Sequence, residues 1–155
     1  MEHRRMLSPG RRAWLWLLCL PLLALAWLPV ARAAKPFAEH KIVLQISDRD
    51  PFKQTLVLNV ANNLIKHYGP DKVDIEIVAF GPGLRLLFAD NSNAPRIDSL
   101  VQAAGVRFSA CDNTFRAVTR KLGHPPKLNP HAHHVSAGVV RIIDLVNQGY
   151  LLIKP

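Results

Sequence analysis

Cysteine is scarce in this sequence of 155 residues, which contains only Cys19 and Cys111. Cys19 lies in an apolar stretch that we expect to be removed with a targeting segment, so the predicted mature chain keeps one thiol. A single thiol cannot form an internal disulfide, although the oxidising compartment of an exported protein would allow such a bond to persist. An unpaired thiol in an exported chain is a candidate reactive group.

Signatures of nucleotide and nucleic-acid binding are also lacking. The Gly81-Pro82-Gly83 turn is not followed by the Lys-Ser/Thr pair that a phosphate-binding loop requires. Its simplest interpretation is a turn that ends a strand, although its N–H groups remain available to a shared pocket. Basic residues are scattered rather than clustered with aromatic ones, so no nucleic-acid partner is expected.

The first 33 residues have the three parts of a secretory signal peptide. Residues 1–12 contain four arginines, residues 13–30 are apolar and uncharged, and residues 31–33 read Ala-Arg-Ala. We therefore predict cleavage near Ala33, a periplasmic or secreted product, and no stable membrane insertion after cleavage. The alternative is an uncleaved anchor, because 18 apolar residues are at the lower limit for crossing a bilayer. Cleavage removes five of the 20 basic residues and one of the 11 acidic ones, so the net charge falls from +9 to +5.

Strands and helices alternate along the rest of the chain. After a flexible leader at residues 34–40, strands are predicted at 41–47, 72–80, 106–110 and 150–153. Helices are predicted at 51–68, 95–104 and 114–122, with one helical turn at 84–88 and a last helix after Ser136. This order predicts an α/β three-layer sandwich with a mostly parallel central sheet.

Apolar spacing predicts which side of each of the four helices is buried, with Ile97, Leu100, Val101 and Ala104 on the buried side of the second. The other predicted stripes are Phe52, Leu56, Val60, Leu64 and Tyr68 in the first helix, Phe115, Val118 and Leu122 in the third, and Val139, Ile142, Ile143 and Val146 in the last.

Cys111 follows the third strand and directly precedes a helix. Open parallel sheets bind ligands outside the carboxyl ends of their strands, so the fold places this residue beside the expected crevice. The unpaired N–H groups and the dipole of a helix start favour a thiolate over a thiol. The alternative is that Cys111 is a small buried apolar residue.

Four histidines, His124, His131, His133 and His134, lie in a segment at 124–134 that we interpret as an irregular loop. Imidazole is a common zinc or copper ligand, which makes His131, His133 and His134 candidate metal ligands. Two alternatives are a solvated loop and a histidine that acts as a base toward Cys111. No cofactor is predicted.

Several segments of the mature chain resemble the DsrE/DsrF-like sulfur-relay family, from residue 41 to residue 155. The matching segments are NVANN (59–63), VAFGPGL (78–84), GVRF (105–108), ACDNT (110–114), SAGVV (136–140), QGY (148–150) and IKP (153–155).

The resemblance implies a DsrE-like domain that forms homotrimers or homohexamers and carries sulfur as a persulfide on Cys111. The resulting hypothesis is an exported sulfur carrier or sulfurtransferase, with Gly81, Pro82, Gly83, Asn113 and Thr114 lining the substrate pocket. Its partners would be small sulfur species or a thiol protein. The alternatives are a non-catalytic homo-oligomeric binding module and a metal-binding protein that uses the histidine-rich segment.

Overall fold

The computed structural model of the chain describes residues 35 and 37–155. The predicted signal peptide at residues 1–33 lies outside the described residues. Among the residues that are described, none of the helices has the length and apolarity needed to cross a membrane.

A five-stranded sheet forms the centre of the domain, and all its strands are parallel in the order β4-β3-β2-β1-β5. The strands are β1 (His40–Ile46), β2 (Val73–Ala79), β3 (Arg107–Cys111), β4 (Ala132–Val135) and β5 (Leu151–Ile153). The helices are α1 (Pro51–Tyr68), α2 (Ala94–Ala104), α3 (Asp112–Leu122) and α4 (Gly138–Asn147), and a 3₁₀ helix spans Gly81–Leu87. The predicted α/β three-layer sandwich with a mostly parallel sheet is therefore confirmed.

Most predicted boundaries differ from the structure by one to three residues, as at the start of β1 and in the loop before α4. β1 begins at His40, inside the predicted flexible leader, and the backbone N–H of Lys35 donates to Asp74 Oδ2 at 3.3 Å. The predicted loop at 124–134 is wrong at its end, because residues from Ala132 onward form the edge strand β4 beside β3. β4 has little strand-forming sequence, so its pairing with β3 decides its conformation.

The helices cover the two faces of the sheet unequally. Right-handed crossovers place α1, α2 and α3 on one face, and the return from β4 to β5 places α4 alone on the other. The larger core packs α1 and α2 against Ile75, Ile77 and Phe108, whereas α4 packs Ile142 and Leu145 in a small cluster.

The predicted buried stripe of α1 is wrong at its start, because Phe52 is 73% exposed. A strict spacing of four residues drifts around a helix of 3.6 residues per turn. The residues that the structure buries are Gln54, Val57, Leu58, Ala61 and Ile65. Gln54 is satisfied there, since its amide donates to Arg49 O at 3.1 Å and its oxygen accepts from Asn91 at 2.9 Å.

The predicted stripes of the last two helices are also partly wrong. In α4 only Gly138, Ile142 and Leu145 are buried, while Val139, Ile143 and Val146 are exposed. α3 has no fully buried residue, and Leu122 is 48% exposed. Both helices therefore present apolar side chains outside the core of this chain.

Two buried carboxylates lie on the sheet face beneath α4, where Asp74 and Glu76 are each about 1% exposed. Glu76 accepts hydrogen bonds from Nε and Nη2 of Arg141, each at 2.7 Å, and from Arg107 Nε at 3.0 Å. Asp74 accepts from Arg107 Nη1 at 2.7 Å and from the Tyr150 hydroxyl at 2.6 Å. We call this set the buried ion network.

The buried ion network connects four elements of the fold. Arg107 belongs to β3 and Arg141 to α4, and Tyr150 directly precedes β5. Burial raises the pKa of Tyr150 to about 12, and its hydrogen bond to Asp74 acts in the same direction. Burial also raises the pKa of Glu76, but hydrogen bonds from Arg141, Ser109 and Arg107 outweigh it, so this pKa lies below its usual range.

We predict that Glu76→Gln lowers the free energy of unfolding by about 3–5 kcal/mol, because it leaves the two arginines without their shared counter-charge. Urea denaturation of the purified protein measures the change. Glu39→Gln is the matched control, since Glu39 pairs with Lys72 on the surface and should contribute less than about 1 kcal/mol.

The Glu76→Gln effect should also depend on pH. Because the folded pKa is lowered, the stabilisation by Glu76 is present above its unfolded pKa of about 4.3 and is lost as pH falls through the folded value. The difference between wild type and variant should therefore shrink in acid. A difference that stays constant from pH 7 to acid would contradict this role.

Candidate functional site

Cys111 is the last residue of β3 and immediately precedes α3. Its side chain is 5% exposed, so the thiol is buried rather than open to solvent. The sequence prediction of a cysteine at the strand-to-helix turn is correct in position.

Backbone N–H groups at the starts of two helices act on the pKa of the Cys111 thiol. Burial raises the pKa of the Cys111 thiol, but the N–H groups of Gly138, Thr114 and Asn113 and the hydroxyl of Thr114 together lower it below its ordinary value. Gly138 is the first residue of α4, and Asn113 and Thr114 lie in the first turn of α3. The starts of both helices therefore favour a thiolate at this position.

Thr114 connects the sulfur to the turn after β2. Its Oγ1 accepts a hydrogen bond from the Gly81 N–H at 2.8 Å. A hydroxyl that accepts in this way keeps its own proton free to donate, and the Thr114 hydroxyl lowers the pKa of the Cys111 thiol. Thr114 therefore contacts the Gly81 turn and also influences the Cys111 thiol.

Gly138 is a contributor that the sequence analysis missed. A Cβ at this position would lie 3.0 Å from Phe80 Cβ and 3.1 Å from Phe80 Cδ1. The absence of a side chain lets the start of α4 approach the end of β2 closely, and the Gly138 N–H lowers the pKa of the Cys111 thiol. Nothing local to Ser136-Ala137-Gly138 indicates this contact, since it joins segments far apart in sequence.

Gly83, a predicted pocket residue, has a packing role in the structure. It is buried, and a Cβ there would lie 2.3 Å from Ile46 O, at the end of β1. Such a contact cannot be relieved by rotating a side chain, because the obstacle is backbone. Gly83 therefore allows the 3₁₀ helix to cross β1.

A cavity of about 820 Å³ lies between the 3₁₀ helix and α3. Four of the predicted site residues line it, namely Gly81, Pro82, Asn113 and Thr114. Cys111 and Gly83 do not line the cavity. Since Thr114 lies both on the cavity wall and beside the sulfur, the thiol sits behind this wall.

The candidate metal ligands diverge. His131 Nε2 lies 3.5 Å from Asp98 Oδ1, whereas His134 bonds to Asp112 and packs edge-on against Phe115 at 5.0 Å between ring centroids. His133 is exposed. Within the described part of the chain, no three residues with His, Cys, Asp or Glu side chains are grouped to hold a metal ion.

The register of the sheet does not place His134 beside Cys111 as a base. β4 pairs with β3 so that Val135 is level with Cys111, and His134 is level with Ala110. Side chains of neighbouring strand residues point to opposite faces, so His134 and Val135 face opposite ways. The donors around the sulfur are therefore backbone groups and Thr114.

Comparison with solved structures identifies a relative of this chain. No family model and no curated protein matches the chain. A solved structure, that of the protein of unknown function MTH1491 from Methanobacterium thermoautotrophicum, is 30% identical with a TM-score of 0.67. The match covers 75% of this chain and 99% of the Methanobacterium protein. This chain belongs to the same family as MTH1491. Membership of the family establishes the fold, and the function has to be argued from the site.

We predict that alkylation of Cys111 by iodoacetamide has a pH midpoint below the value of about 8.5 for a free cysteine, because the helix starts favour the thiolate. Thr114→Val should raise the midpoint by about one pH unit, since a hydrogen bond to a charged group contributes about 1.5–3 kcal/mol. Mass spectrometry of the native protein across a pH series measures it.

Thr114→Ser is the matched control, because it keeps the hydroxyl and should leave the midpoint nearly unchanged. The midpoint rather than the rate is diagnostic, as burial slows labelling at every pH. A midpoint at or above 8.5 in the wild type would refute the assigned electrostatics.

Proposed function

We propose that the exported, mature form of this chain binds and transfers sulfane sulfur as a persulfide on Cys111. The observation that carries the proposal is the position of Cys111 directly before α3, where N–H groups at the starts of α3 and α4 lower the pKa of its thiol. The resemblance of the segments around Cys111 to the DsrE/DsrF-like family supports the same proposed function.

The chemistry needs a reactive anion before and after transfer. The Cys111 thiolate attacks the outer sulfur of a persulfide or polysulfide. A new S–S bond forms between Cys111 Sγ and that sulfur, while the S–S bond of the donor breaks and the rest of the donor leaves as a thiolate. The persulfide on Cys111 is again an anion. N–H groups that favour a thiolate also favour this product, because both carry one negative charge on sulfur. A second thiolate then removes the sulfur by the same exchange.

Access to the thiol depends on the first turn of α3. Cys111 is 5% exposed, and Thr114 separates its sulfur from the cavity. α3 has no fully buried residue, so a displacement of this helix disrupts little packing. Loading would therefore proceed through the cavity, with Thr114 and Asn113 as the residues that a donor meets first.

We predict that the purified protein gains the mass of one sulfur atom on Cys111 after incubation with polysulfide. Peptide mapping by mass spectrometry locates the sulfur, and Cys111→Ser should abolish the gain. Thr114→Val should reduce the loaded fraction several-fold, whereas Thr114→Ser should load like the wild type. Sulfur gained equally by Cys111→Ser would refute the role given to this residue.

A rival function is a non-catalytic homo-oligomeric binding module, which the burial of Cys111 favours. In that case the midpoint of alkylation would lie at or above about 8.5, and polysulfide would leave the thiol unmodified. The two results together distinguish a buried apolar cysteine from a slowly exposed thiolate.

We also propose that the chain associates with itself as a homotrimer or homohexamer through the outer face of α4. Five apolar residues form this face with the edge strand, namely Val139, Val140, Ile143, Val146 and Leu152, all of them exposed. Leu152 is level with Val43, which belongs to the α4 side of the sheet. Apolar patches of this kind mark interaction surfaces.

We predict that Ile143→Asp lowers the molar mass of the assembly measured by light scattering, because a charge at the centre of this face opposes its burial. Phe52→Asp is the matched control, since Phe52 is an exposed apolar residue on α1 and lies outside the face. An unchanged mass for Ile143→Asp would exclude the α4 face as the contact.

A further inference from the structure

The cavity between the 3₁₀ helix and α3 has the dimensions of a ligand site. Its volume of about 820 Å³ lies within the range of about 300–1,000 Å³ that small-molecule pockets occupy. Its walls are Arg49, Gly81, Pro82, Leu84, Arg85, Phe88, Asn113, Thr114, Ala117, Val118, Lys121 and Leu122. Phe115 of α3 packs against the core, whereas α3 has no fully buried residue.

One face of α3 forms a continuous wall. Thr114, Ala117, Val118, Lys121 and Leu122 follow each other at helical spacing along it. From Thr114 to Lys121 this wall is about 10 Å long, at 1.5 Å per residue. Leu84 and Phe88 lie across from it, so the body of the cavity is apolar.

The charges on the cavity wall are all positive. Its lining contains three cationic side chains and no acidic one. Arg85 is neutralised by Asp90 and lies over the Phe88 ring at 4.9 Å. In the described residues, Arg49 and Lys121 form no ion pair with a carboxylate.

The two unpaired cations are at different ends of the wall. Arg49 follows β1, whose carboxyl end is next to that of β2, and Gly81 follows β2 at the same edge of the sheet. Lys121 lies in the last turn of α3. A ligand with an anionic group at either end would place that group beside an unpaired cation. Its apolar part would then extend along Val118, Phe88 and Leu84.

We infer that this cavity binds an amphipathic organic acid, an apolar chain or ring about 10 Å long that carries one carboxylate or sulfonate. The apolar walls supply the contact area, and Arg49 and Lys121 supply the preference for an anion. This binding does not require the Cys111 thiol, since Cys111 is outside the lining.

Octanesulfonate is a suitable probe, because its sulfonate stays ionised and its chain matches the length of the wall. Isothermal titration calorimetry should show one molecule bound per chain, with an affinity that falls as salt is added. Octanol should bind at least tenfold more weakly. The double variant Arg49→Glu/Lys121→Glu should weaken octanesulfonate binding at least tenfold.

Three further variants locate the site. Ala117→Trp fills the cavity from an exposed position and should abolish binding. Arg120→Glu, the matched control, makes the same charge change one residue away from Lys121 outside the lining, and should change the affinity less than about twofold. Cys111→Ser should bind like the wild type, so the result is independent of sulfur transfer.

The proposal fails if octanol binds as tightly as octanesulfonate, if the double variant keeps its affinity, or if Ala117→Trp still binds. It also fails if the wild type excludes the probe and Ala117→Trp dissociates an oligomer, because the cavity would then be an interface between copies. Sulfur uptake on Cys111 tests the persulfide proposal separately, so failure of one proposal can be distinguished from failure of the other.

Discussion

The buried carboxylates of Asp74 and Glu76 impose the main constraint on this domain. Two negative charges under one helix must be neutralised, and the groups that do so come from β3, α4 and the residue before β5. Removing one partner of such a set costs several kcal/mol, because the other partner stays buried without it. The position of α4 across the sheet is therefore fixed by ionic geometry more than by its small apolar cluster.

The position of α4 in turn determines the environment of Cys111. Arg141, one turn into α4, holds the helix to Glu76, and the Gly138 N–H at the start of the same helix lowers the pKa of the Cys111 thiol. Burial opposes a charged thiolate, and unpaired N–H groups from two helices favour it. The donors win in this balance, so the reactivity of the thiol depends on how the backbone of two separate segments is arranged.

Much of the architecture was predictable because it is local. Alternating strand and helix signals, together with the handedness of parallel connections, predicted the sheet and placed Cys111 at a strand end. The features that were missed depend on contacts between distant segments. β4 forms only beside β3. Gly138 is important only through its relation to Phe80 and Cys111. The carboxylates of β2 are buried only because Arg107 and Arg141 form ion pairs with them. The outward-facing residues of α4 could not be recognised either, since an apolar stripe does not show which molecule covers it.

The two helices that meet at the sulfur are held very differently. α4 is fixed by ion pairs at its first turn, whereas α3 has no fully buried residue and borders a cavity. A movement that opens the site therefore involves α3, because displacing α4 would expose the ion network at much greater cost. α3 also carries Thr114, which links the cavity to the sulfur, so a ligand that fills the cavity would hold α3 in place. Occupancy of the cavity and accessibility of Cys111 are then coupled through the same helix.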